Sequence, residues 1–183
     1  MKIIKKLKKI HFNYCKFSTT YLELNNIKVF FFFFEFFDEY SISNSKLLTN
    51  GSNAIYLMCI FNKDVYISKM DNKENIIENI LFSDCEFKRK LEAEDINFRK
   101  EIFNNPKDNK YDEMNKIRFV NCIISADFIL RGYKIQNLDL SETTLLGKTK
   151  IQYCDIEIEA DFYNTKFEDL ADFYRTNFGE VYF

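Results

Sequence analysis

Residues 154–183 read CDIEIEADFYNTKFEDLADFYRTNFGEVYF, and within them ADFYNTKFEDL (160–170) is followed at once by ADFYRTNFGEV (171–181). Working outward, large apolar residues recur at Leu140, Leu145, Ile151, Ile156, Phe162, Phe167, Phe173, Phe178 and Phe183, in steps of five or six. Two positions before each of these centres stand Leu138, Thr143, Thr149, Cys154, Ala160, Thr165, Ala171, Thr176 and Val181; apart from Leu138 they are small or β-branched. A five-residue period matches neither a helix nor an extended strand, whose side chains repeat every 3.6 and 2.0 residues. It fits a chain that makes a very short strand, turns a corner and repeats, four sides to a coil, with coils stacked about 4.8 Å apart. The centre and the residue two before it point inward, large in the middle and small along the wall. The remaining positions, rich in Asp, Glu, Lys, Asn and Tyr, face solvent.

The A-(D/N)-(L/F)-x-x pattern of these residues resembles the pentapeptide-repeat family. The alternating 5/6 spacing on Phe resembles its Phe-rich subgroup, often seen in bacteria with AT-rich genomes. The resemblance implies an all-β fold, a right-handed quadrilateral β-helix. It is close over 138–183 and looser over 117–137, where IRF, NCI and ADF (centred on Phe128) continue the pattern before the register slips near Arg131 and Gly132. Upstream it is fragmentary: Phe61 and Ile67 behind Cys59 and Val65, Phe82 and Phe87 with Cys85 before the second, Phe98 and Phe103, and Phe12, Phe17 and Leu22 behind Ile10, Cys15 and Thr20. The expected organisation is an irregular or partly helical, basic and Phe-rich segment over 1–55, degenerate coils over 56–103, a polar loop over 104–116 (NNPKDNKYDEMNK) and a regular solenoid over 117–183. SNSKLLTNGSNA, residues 43–54, reads as a second loop.

Composition narrows the chemistry. The 183 residues are 46% hydrophobic and 30% charged, enough for a packed core, and four Gly with one Pro exclude collagen-like and linker-like chains. The net charge of −2 argues against nucleic-acid binding by the chain as a whole. That charge is uneven: residues 1–30 carry seven Lys against Glu23, whereas 155–183 carry eight acidic residues against Lys166 and Arg175. Five cysteines (Cys15, Cys59, Cys85, Cys122, Cys154) form no CxxC pair, and His11 is the single imidazole. Neither a zinc site nor a disulfide framework follows; small buried thiols in a reducing cytoplasm do.

Catalysis has little to work with. His11 lies beside a Lys-rich tail, and Asp155, Glu157, Glu159 and Asp161 would lie on flat, wet faces without a cleft to raise one pKa. Gly147 in LLGKTK lacks the upstream Gly of a phosphate loop. No catalytic, cofactor-binding or metal-ligating residue is therefore expected, and the chain reads as a non-enzyme.

MKIIKKLKKI is followed by polar HFNYCKFSTT rather than an apolar signal region, and IKVFFFFFEFF is too short to span a bilayer. A cytoplasmic scaffold that engages an unidentified protein partner is the expectation, with Phe162, Phe167, Phe173 and Phe178 as its spine and no direct nucleic-acid binding. Two alternatives stand beside it. The resemblance implies a DNA mimic that binds a type II topoisomerase such as gyrase, compatible with the acidic stretch 155–183. The basic, Phe-rich residues 1–40 suggest peripheral membrane association. The sequence stops at Phe183, on a centre, with no capping segment; the expectation is either a longer natural protein or a last coil that pairs with another molecule, as in a homodimer.

Overall fold

The computed structural model describes residues 9–13, 16–17, 28–32, 35–37, 40–41, 52–67, 77–94 and 112–183. Parallel strands build three sheets of eight, seven and six strands, each pairing with the equivalent strand of the coil before or after it. This is a β-solenoid of stacked coils, all-β, with no helix among the described residues.

Three sheets make four sides because the first sheet bends. In Asp155–Asp161, Ile156 and Ala160 face inward while Glu157 and Ile158 between them are exposed. The pairing register shifts at that point, between Ile156 and Glu159. One long strand thus covers a side, a corner and the next side. Centres and wall residues then align in columns. Tyr56, Phe82 and Phe119 stack on the first side, and Phe36, Phe61, Phe87, Ile124, Leu145 and Phe167 on the second. Side three holds Ile67, Ala93, Leu130 and Ile151; the fourth pairs Ile135 with Ile156 and Ile156 with Phe178.

The corners explain the residues between centres. Thr165 N–H donates to the Phe162 carbonyl at 2.9 Å, and Asn164, third in that turn, has φ +52°, as a type II turn requires. Leu140–Thr143 and Phe173–Thr176 repeat the hydrogen bond, with Glu142 and Arg175 at positive φ. The Asp of L-D-L at 138–140 and of the A-D-F triplets at 160–162 and 171–173 caps its turn: the Asp139, Asp161 and Asp172 carboxylates accept from the N–H two residues on, at 2.8–2.9 Å, whereas Asp127 of the third A-D-F accepts from Lys148 N–H one coil away. Short Asp side chains make this bond easily, which is why the family-like Asp recurs there.

Wall threonines stitch coils together. Thr143, Thr165 and Thr176 hydroxyls donate to the carbonyls of Phe119, Leu140 and Ile151, at 2.7–2.8 Å.

Several expectations are corrected. Phe128 is not a centre: it pairs with Thr149 in the wall column, and Leu130 pairs with centre Ile151. The small residue expected before it, Ala126, lies at a corner beneath Gly147, so close that a Cβ on Gly147 would sit 2.4 Å from the Ala126 carbonyl carbon. The register slip is a corner reduced to Gly132, buried at φ +79°, between strands Phe128–Arg131 and Tyr133–Asp139. The loop expected over 104–116 ends sooner, because 112–116 already belong to strand Asp112–Val120, with Met114 aligned on Ile135. Likewise 52–54 of the expected loop 43–54 open strand Ser52–Leu57, and Ala54 is buried.

Within the segment expected over 1–55 as irregular or partly helical, the described residues other than Phe37 lie in strands of the same sheets, and the rest of the segment lies outside the described residues. Phe12 aligns on Phe31 and Phe17 on Phe36, in step with the fragment read there. Phe98 and Phe103, like Cys15, Thr20 and Leu22, lie outside the described residues.

Candidate functional site

Three features of the surface can meet a partner. The first is an edge. Third-sheet strands lead into first-sheet strands at one corner of the solenoid, and early in the chain the links there are long: 42–51 after Tyr40–Ser41, 68–76 after Val65–Ile67, 95–111 after Leu91–Glu94. Later the same link shrinks to Gly132, then to 153–154 and 173–176. Because strands stack in register, the strand ends that flank these three stretches of sequence line up at that edge. Insertions gathered on one side of a repeat stack commonly mark its binding side.

In the later coils this edge carries ordered side chains. Arg131 donates through Nη2 to Gln152 Oε1 at 2.6 Å, and Gln152 Nε2 donates to Asp172. Next to them Tyr153 and Tyr174 meet edge to face at 5.4 Å, and Arg175 lies over both rings, 5.8 and 5.4 Å from their centroids. Tyr174 and Arg175 are exposed, and Tyr and Arg are the side chains most often found at energetic hot spots. The sequence reading missed this cluster. Its signal is the recurrence at coil spacing, visible once the coil length is known.

The second feature is a strip of carboxylates on the first sheet. Asp139, Asp155, Glu157, Glu159, Asp161 and Glu180 fall on three neighbouring strands, with Glu159 aligned on Glu180 and Asp139 on Asp161. Lys134 answers one of them, its Nζ 2.9 Å from Glu157 Oε1. The structure thus brings together the acidic residues singled out in the sequence. Glu157 is exposed; Asp155, Glu159 and Asp161 are half-buried, and Asp161 is engaged in its turn.

The third feature is the last coil, whose strands Lys166–Phe167, Ala171–Asp172 and Asn177–Tyr182 each stand last in their sheet. Phe167, Phe173 and Phe178 are only half-buried there, and Phe183 is 82% exposed.

The interior offers thiols. Cys59, Cys85 and Cys122 occupy the same wall slot of successive coils, each one residue before an aligned pair, and all are buried. Cys85 and Cys122 donate weakly to the carbonyls of Tyr56 and Phe82, at 3.5 and 3.6 Å. The contact with Cys85, reinforced by burial, holds the Cys122 thiol far above its ordinary range. On the fourth side burial pushes the Cys154 thiol up to about 11. The Cys122 and Cys154 thiols therefore stay protonated at neutral pH and pack as small apolar residues. His11 has a described backbone in strand Lys9–Asn13, aligned on Phe30. No family model matches this chain, and neither a curated protein nor a solved structure matches it.

Proposed function

We propose that this protein is a non-enzymatic scaffold of the pentapeptide-repeat kind, engaging a protein partner along the edge where its third-sheet strands lead into its first-sheet strands. The observation that carries the reading is the cluster of Tyr153, Tyr174 and Arg175 at that corner, with Tyr174 and Arg175 exposed, in line with the strand ends Ser41, Ile67 and Glu94 of earlier coils. The aromatic and aliphatic centres are committed to the core, so recognition falls to corners and outer positions. A photo-crosslinking residue at position 174 should label a partner in cell extract that the same residue at position 144, on the second side, does not. Equal labelling from both positions, or none from 174, overturns the edge reading. A turnover lost on changing one carboxylate would return the protein to the enzymes.

A second reading rests on the carboxylate strip. With coils about 4.8 Å apart, the strip presents roughly one carboxylate per 2 Å of axis, near duplex DNA's one charge per ~1.7 Å. This supports a DNA mimic directed at a type II topoisomerase. Its length weighs against it: three strands span about 10 Å, or roughly three base pairs. Gyrase supercoiling unaffected at micromolar protein removes the idea.

A further inference from the structure

We draw no further inference here: the strongest candidate, the half-buried aromatic end formed by Phe167, Phe173, Phe178 and Phe183 on the last coil, is an apolar face for which nothing in the structure shows what covers it.

Discussion

The coils around Phe82 and the coil ending at Phe178 use the same building residue in opposite ways. In the first region aromatic centres stack ring on ring up their columns: Phe36 on Phe61 at 4.6 Å and 1°, Phe61 on Phe87 at 4.8 Å and 5°, Phe82 on Phe119 at 5.0 Å and 8°. Neighbouring columns meet edge to face, as Phe82 and Phe87 do at 5.1 Å. In the last coil Phe162, Phe167, Phe173 and Phe178 meet one another only at steep angles, 5.8–6.2 Å apart, and the one stacked pair is Phe162 with Phe183, at 5.5 Å and 28°. Between the two regions the centres are Leu140, Leu145, Ile151 and Ile156. The difference teaches that a Phe contributes through the coil above it as much as through its own. Where rings are covered on both sides they stack near coil spacing. The last coil's rings pack against one another and the coil beneath.

Truncation should separate the two most widely. Phe82→Ala empties a fully buried site and should cost about 3–5 kcal/mol, whereas Phe178→Ala should cost less than half as much. Denaturant unfolding of both variants checks this, and equal losses would mean that the last coil is covered in solution. Next in size is Gly147→Ala. Its new Cβ would meet the Ala126 backbone, which cannot step aside without moving a coil, so a loss of about 1–3 kcal/mol is expected from overpacking.

Alkaline pH probes the wall. Cys154 is raised by burial from the ordinary 9.0 to about 11. Its protonated form is favoured by the fold, so this contribution is complete below pH 9 and is lost as pH rises through 11. The loss should be on the order of 2 kcal/mol, and Cys154→Ala should flatten that limb of a stability-against-pH curve.

Smaller again is a pair in the wall columns. Thr143→Val removes a buried hydrogen bond to Phe119 and should cost about 1 kcal/mol. The Thr149 hydroxyl is buried without a partner, so Thr149→Val should be neutral or stabilising. Melting curves that rank the pair the other way would place a bridging water at Thr149.

Smallest is Glu142→Asn. Glu142 sits at φ +58° in a corner column that starts with Met58 and otherwise holds Asp84, Asn121 and Asn164. Matching them should gain about 0.5–1 kcal/mol, because Asn enters left-handed backbone with less strain.

How much of this was legible depends on slot contrast. Over 138–183 the wall, apart from Leu138 and Val181, holds Thr, Cys and Ala and the centre holds Leu, Ile and Phe, so the two slots announce themselves and the coils follow. Upstream the contrast fails. On the third side Leu91 fills the wall and Ala93 the centre, and one coil later Phe128 fills the wall before Leu130. A large wall residue is tolerated where the neighbouring centre leaves volume, since what packing conserves is the sum. Tyr133 is the extreme case: it sits in a fourth-side wall slot, and its hydroxyl reaches the Ile67 carbonyl at 3.1 Å. The A-D-F triplet at 126–128 was the strongest local match in its stretch and the misleading one, because a triplet carries no information about which coil lies below it. The edge cluster was illegible for the same reason: Arg131 and Gln152, like Tyr153 and Arg175, are distant in sequence and meet only when coil length is fixed.

By itself the sequence determined the period, the inward residues of the last coils and the acidity of its end, because those follow from side-chain size and charge at fixed spacing. The tertiary structure alone decided the register of the earlier coils, the common edge at which third-sheet strands end and the stacking of rings in columns. Those depend on which residue lies one coil away, and links of unequal length between third-side and first-side strands hide that distance from any reading along the chain.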